Sequence, residues 1–331
     1  MKTLINQKRF PGARKAALPE FVPPQLATLV KVPPDGDAWV HELKFDGYRM
    51  LCRLERGEVR FWSRNHKDWT LKFPGLVKAM ASFPAQAAML DGEVVILDAA
   101  GRTSFQALQK SLGRTSKASF IYQIFDLIHL DGYNLAAVPL VKRKKLLQTL
   151  FESRELASSL RYSDHVQGNG GEFFDKACNY GIEGVVSKRA DSPYESARTR
   201  NWLKAKCIKR QEFVVAGYTP TEKGLPGFGA LVLGIYDRGK LLYAGRVGTG
   251  FTFKQRTDLR KKLDPLVTGK MPFAVKPKDP GLRNAQWTTP LLVAEVEFTE
   301  WTDDGAVRHP SFQGLREDKN PKEIVRETAT D

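Results

Sequence analysis

Near residue 208 the pattern of apolar residues changes character, and that change limits what this chain can fold into. Before it, strand-like runs such as "AWVHELKF", "YRMLCRLE" and "EVRFWS" are mixed with segments of helical spacing, among them "FPGLVKAMASF", "LVKRKKLLQTLF" and "GEFFDKACNYG". After it, "EFVVAGYTP", "GALVLGIYDRGKLLYAGRVG" and "PLLVAEVEFTEWTDDGAVRHP" alternate between Asp/Gly turns, with "KQRTDLRKKLDPL" the one helical stretch. The 331 residues exceed a usual single core of roughly 100–200 residues. The expectation is therefore an α+β chain of two domains.

Residues 25–208 are read as antiparallel sheets with helices, and residues 209–331 as a small closed β-barrel of the oligonucleotide-binding (OB-fold) kind. Residues 1–24, rich in Pro, Ala and basic side chains, read as an arm or linker lying loosely on the surface. Within "MLDGEVVILD", Asp91-Gly92 reads as a turn before a buried strand at 94–97, and the basic run Lys142–Lys145 as the solvated face of a helix. Cys178 reads as a packing residue. "GRVGTGFTFK" (245–254) imitates a phosphate loop but reads as a hairpin connection.

A net charge of +15 suits a polyanionic partner, because each phosphate neutralised releases condensed counterions. Three cysteines without CxxC spacing point to a reducing compartment and no structural zinc. No apolar run approaches the roughly 20 residues of a membrane span. The basic N-terminus lacks the apolar core of a secretory signal, so the cytoplasm or the bacterial nucleoid is expected. Neither a GxxxxGK[ST] loop nor HExxH spacing is present, which argues against P-loop and zinc-hydrolase chemistry.

Short charged motifs remain, separated by apolar strands. "ELKFDGYR" sets Lys44 beside Asp46 and Arg49, yet Asp-Gly occurs five times in the chain and closes ordinary turns. "SRN" holds Arg64, "LDGE" puts Glu93 before a strand, and "EGVVSK" brings Glu183 and Lys188. "WLKAK" puts Trp202, Lys204 and Lys206 on one side of a strand by period-two alternation. Each alone is most simply a solvated strand end.

As an ordered set, KxDG, SRN, LDGE, FDL, EGVVSK, WLKAK and REDK (316–319) resemble the motifs of ATP-dependent DNA ligases over nearly the whole chain. "GARKAALPEFVPPQLATL" and "HPSFQGLREDKNP" are most similar to the ligase module of bacterial ligase D, of non-homologous end joining. The resemblance implies a nucleotidyltransferase (adenylation) domain before the barrel, and Lys44 as the residue that becomes AMP-lysine. It implies ATP as AMP donor and a divalent metal, Mg2+ or Mn2+, with Glu93 and Glu183 holding the metal or the ribose. Glu42 then reads adenine, Phe125 stacks on it, Arg64 touches the ribose-phosphate, and Arg49 and Lys188 join the nucleotide site. Asp46 serves nick sealing, Lys204 and Lys206 flank the transferring phosphate, and Arg316 and Lys319 orient the pyrophosphate. "SRNH" departs from the family in carrying His66 where glycine is commoner.

A free lysine has a pKa near 10.4 and is a poor nucleophile at neutral pH. Clustering of Lys44 with Arg49, Lys204 and Lys206 in a partly dry pocket is expected to lower it. The implied partners are nicked or broken duplex DNA, a Ku-like end-binding protein and polymerase or nuclease modules, with the chain a monomer. An RNA ligase or a GTP-dependent capping enzyme shares the fold, and a non-catalytic nucleic-acid-binding protein explains the charge but not the ordered motifs.

Overall fold

"YRMLCRLE" and "EVRFWS" become the strands Tyr48–Glu55 and Glu58–Ser63, joined by Arg56 and Gly57 at positive φ. That backbone matches the twist of a tight hairpin. The computed structural model describes residues 9–112, 119–221 and 227–330. It divides into two units, Met1–Cys207 with Ala329–Asp331, and Ile208–Thr328.

The first unit holds two sheets. One runs in the order Arg14–Lys15, Tyr133–Asn134, Ile121–Leu130, Ala87–Val95, Tyr48–Glu55, Glu58–Ser63, with Leu160–Tyr162 parallel to Ile121–Leu130. The other runs Val166–Gln167, Trp39–Leu43, Gly184–Arg189, Arg198–Lys206, Leu26–Leu29. Ile121–Leu130 is buried at every position. One side feeds the main core with Tyr122, Ile124 and Leu127. On the other, Phe125 and Ile128 join Leu51, Met89, Tyr194 and Trp202 in a second cluster, with Trp202 supplied by the other sheet.

Several sequence expectations change here. Asp91-Gly92 is no turn but lies inside the nine-residue strand Ala87–Val95. Asp91 is tolerated there because Arg49 and the Tyr194 hydroxyl bond it, and a Cβ at Gly92 would meet the Gln123 carbonyl and the Tyr122 ring at 2.5 Å. Residues 1–8 of the expected arm lie outside the described residues, but the next stretch is part of the fold: Phe10 and Ala13 are core, and Arg14–Lys15 pairs with Tyr133–Asn134. In the helix Leu140–Glu152, Arg143 and Lys144 are fully buried, not solvated. Arg143 forks onto Asp126 at 2.7 and 2.9 Å.

Cys178 does not merely pack. It forms a disulfide with Cys207, because the helix Gly170–Asn179 brings its last turn to 5.2 Å (Cα–Cα) from the residue that follows the strand Arg198–Lys206. The cysteine argument for a reducing compartment falls with it. Cys52 is free and buried.

The second unit is the OB-fold barrel. Arg210–Tyr218 pairs with Leu231–Asp237 and with Gln286–Glu297; Lys240–Val247 and Ser311–Leu315 extend the two ends. A parallel bridge between Thr249 and Ser311 closes the circuit. The helix Phe253–Leu263 sits between the third and fourth strands, started by a capping box of Thr252 and Gln255. "GRVGTGFTFK" therefore joins a strand to a helix and is not a hairpin connection.

Candidate functional site

Strand register assembles the site. In the second sheet, Val40, Lys188 and Trp202 form one rung, and Glu42, Val186 and Lys204 the next but one. Beyond them Lys44 donates its amide to Gly184, which pairs with Lys206. Directly paired residues project to the same side, and period two carries that side along each strand. Glu42, Lys44, Lys188, Trp202, Lys204 and Lys206 therefore share one face.

Lys44 Nζ lies 2.5 Å from Glu183 Oε1, with side chains 22% and 6% exposed. Burial alone would depress its pKa, but Glu183, helped by Asp46 and Glu93, holds the ammonium above its ordinary value. This reverses the expected depression by neighbouring cations: Lys44 faces carboxylates, and Arg49 is taken up elsewhere. Asp46 is nearly buried, its amide bonded to the Thr103 hydroxyl at 3.1 Å. Gly47 has no positive φ; it is glycine because a Cβ would overlap the Val94 carbonyl and fall 2.8 Å from Val95.

The first sheet faces this array with Arg49 and Glu93, which pair across neighbouring strands. Arg49 makes a fork onto Asp91, 2.6 Å to each oxygen, and the Tyr194 hydroxyl bonds Asp91 at 2.6 Å. Phe125, expected to stack on adenine, is buried edge-on to Trp202, and its ring already carries Arg49 at 4.8 Å and Lys188 at 4.3 Å. Arg64 follows the strand Glu58–Ser63 in a turn closed by Ser63 and Lys67. There His66 takes φ +56°, the left-handed conformation that glycine favours, and stacks on Phe21 at 4.3 Å. The turn thus has the conformation that a glycine at this position would favour.

Glu42 is buried between two lysines: Lys144 Nζ is 2.8 Å from one oxygen and Lys188 Nζ 2.9 Å from the other. Burial would raise its pKa, and the two ammonium groups bring it below the ordinary carboxylate value. Lys188 is pushed down to about 8 by burial, with Lys144 adding and Glu42 opposing. Lys144, Asp91 and Tyr194 are the residues that sequence reasoning missed. For Lys144 a signal existed, since Leu140, Arg143, Lys144 and Leu147 stand at the i, i+3, i+4, i+7 spacing of a buried helix face.

Arg316 and Lys319 belong to the second unit. Arg316 forks onto Asp318 at 2.9 and 2.8 Å and reaches Glu295 at 2.8 Å, while Lys319 pairs with Glu212 at 2.9 Å.

The family model described as "ATP dependent DNA ligase domain" matches residues 24–206, and "ATP dependent DNA ligase C terminal region" matches 225–319. The chain belongs to the ATP-dependent DNA ligases. Among curated relatives of this ligase, the multifunctional non-homologous end joining protein LigD of Pseudomonas aeruginosa is 40% identical over 97% of the chain and 38% of its own length. The multifunctional non-homologous end joining DNA repair protein LigD of Mycobacterium tuberculosis is 39% identical over 87% of the chain and 37% of its own. The ligase chain thus spans less than two fifths of these relatives. A solved structure of mycobacterial DNA ligase D complexed with ATP and MES superposes with TM-score 0.69 at 36% identity, covering 92% of this chain and 98% of that one.

Proposed function

We propose that this ligase seals 5′-phosphate/3′-hydroxyl breaks in duplex DNA through a lysyl-AMP at Lys44 and a DNA-adenylate. The observation that carries the reading is Lys44 placed on one face with Lys204, Lys206 and Glu42, its amine hydrogen-bonded to Glu183. Neutral Lys44 Nζ attacks the α-phosphorus of ATP, the bond to the β-phosphate oxygen breaks, and pyrophosphate leaves. Glu183, at hydrogen-bonding distance, is placed to take the ammonium proton. Lys204 and Lys206 offset charge on the transferring phosphate. The 5′-phosphate then displaces lysine from AMP, and the 3′-hydroxyl displaces AMP. Asp46 is assigned to these later steps.

The donor set fits a hard divalent cation. Glu93 and Glu183 are both close enough to act electrostatically on Lys44, and both offer carboxylate oxygens. Among the described residues no three His, Cys, Asp or Glu side chains gather into a chelate. Glu93 and Glu183 would hold such a cation, which would supply charge neutralisation at the phosphate. Arg316 and Lys319 are assigned to the pyrophosphate.

The relatives' names support a role in end joining; the Ku-like partner, the polymerase or nuclease modules, the monomer and the bacterial nucleoid are proposed on the resemblance of the sequence motifs. Among the described residues no helix is long and apolar enough to cross a membrane. Incubation with α-labelled ATP or GTP and a divalent metal, beside Lys44→Ala, tests the core of the reading. Covalent label from ATP that vanishes in the variant is expected; no label in the wild-type protein overturns it. A nicked duplex compared with a ribonucleotide-containing one separates DNA from RNA sealing.

A further inference from the structure

We infer that Lys144, which lies in none of the ligase motifs, is a positioning residue for nucleotide selection: it fixes the Glu42 carboxylate so that one oxygen accepts from the amino group of adenine. The inference deepens the proposed function and rests on Glu42 as the base-reading group.

Three separate elements converge on this carboxylate. Glu42 comes from the strand Trp39–Leu43, Lys144 from the helix Leu140–Glu152, and Lys188 from the strand Gly184–Arg189. Oε2 accepts from Lys188 at 2.9 Å and from the Ser163 hydroxyl at 3.0 Å, which uses both of its lone-pair directions. Oε1 stands differently. Among the described residues Lys144 Nζ is its one charged neighbour, 2.8 Å away and hydrogen-bonding the carboxylate. Another of the three Lys144 donors reaches the Ser163 carbonyl at 2.9 Å, and the ammonium rests over the Tyr162 ring at 4.7 Å. Lys144 therefore holds Oε1 through one lone-pair direction and leaves the other able to accept.

The asymmetry has a chemical reading. An exocyclic amine is a donor and matches an ionised carboxylate oxygen, whereas a carbonyl at the same ring position is repelled by it. Selection requires Glu42 to be ionised and to have one orientation. A lone buried carboxylate would take up a proton and become a donor itself. Around Glu42 the facing charged and titratable groups are Lys144, Lys188, Tyr162 and His165, with Asp126 beyond Lys188 and paired to Arg143. Of these, Lys144 alone contacts Oε1. Lys144 is itself locked, fully buried and carried by the helix that Arg143 anchors to Asp126 and Ser192.

The test is adenylation of the full chain with ATP and with purine riboside triphosphate, which lacks only the exocyclic amine. In the wild-type protein the analogue should show a KM about tenfold above that of ATP, the size of one hydrogen bond to a charged group. Glu42→Gln should erase that preference. Lys144→Met should also erase it, raising the KM for ATP while moving the KM for the analogue and both kcat values by no more than about twofold. A packing defect would instead weaken both nucleotides alike. If Lys144→Met keeps the preference while Glu42→Gln loses it, the role of Lys144 falls and the reading of Glu42 stands. Preference retained in Glu42→Gln overturns both. Should Lys144→Met fail to fold, the neutral double variant Glu42→Gln/Lys144→Met decides. Kinetics matching Glu42→Gln alone support the inference, and a further loss on both nucleotides overturns it.

Discussion

Lys44 and Glu183, 139 residues apart in the chain, meet at 2.5 Å as a nearly buried ion pair, Lys44 just after the strand Trp39–Leu43 and Glu183 just before the strand Gly184–Arg189. The proposed nucleophile is therefore held as an ammonium in the nucleotide-free protein. Removing only one partner strands a charge. Lys44→Met is expected to lower stability by about 1–3 kcal/mol, below the cost of breaking a fully buried pair because Lys44 is partly solvated. Lys44→Met/Glu183→Gln should recover most of that loss. Thermal denaturation of the four proteins checks this; additive losses would show that the two side chains do not act as a pair.

Arg316 and Lys319, both drawn from "REDK", should separate experimentally. Arg316 neutralises Glu295 and Asp318, both buried, so Arg316→Ala is expected to cost about 3–5 kcal/mol in folding. Lys319 has Glu212 as its partner and is not so enclosed. Lys319→Ala should fold normally and slow transfer of labelled AMP on the order of a hundredfold, as for one lost electrostatic stabiliser. Unchanged adenylation in Lys319→Ala would remove it from the leaving-group role.

His66 offers a test of backbone against packing. Its left-handed φ costs about 1 kcal/mol, and its stack on Phe21 returns about 0.5–1.5 kcal/mol. His66→Gly should thus lie within about 0.5 kcal/mol of wild type, while His66→Ala loses the stack and keeps the strain, costing about 1 kcal/mol. Denaturant midpoints measure both, and equal losses in the two variants would contradict the left-handed assignment.

The Cys178–Cys207 disulfide joins residues 29 positions apart in the sequence. On loop-closure grounds its reduction should cost about 3–4 kcal/mol. Thiol titration gives an independent check. The native protein should show no reactive thiol, because Cys52 is buried. Unfolding without reductant should expose Cys52 alone, and reduction should add the other two.

Lys188 gives stability a pH signature. Burial, with Lys144 adding, lowers it to about 8 in the fold, so from there up to the ordinary lysine range the unfolded chain binds a proton that the folded chain has lost. This group's contribution therefore rises with pH across that window. Wild type should gain stability relative to Lys188→Met between about pH 7 and about pH 9.5. A constant difference would place the Lys188 pKa elsewhere.

Much of this was legible in advance. The change of pattern near residue 208 separates a helix-and-sheet unit from a barrel because both periodicities are local properties of the chain. The motif order brought out Lys44, Glu183, Lys204 and Lys206. What escaped depends on long-range partners. Asp91-Gly92 has the composition of a turn, and only Arg49, Tyr194 and the close Tyr122 ring keep it in a strand. The Lys142–Lys145 run looks solvated until Glu42 and Asp126 supply counter-charges from distant strands. The protonation of Lys44 was misjudged for the same reason: its neighbours in space are carboxylates.

The rungs that place Glu42, Lys44, Lys188, Lys204 and Lys206 on one face carry a consequence for how this chain can vary. A single inserted or deleted residue within Trp39–Leu43, Gly184–Arg189 or Arg198–Lys206 would turn that strand's polar set to the opposite side. A change of two residues would preserve the side and only slide the groups along it. Drift in length is thus confined to the connections, and within the three strands it is filtered by parity.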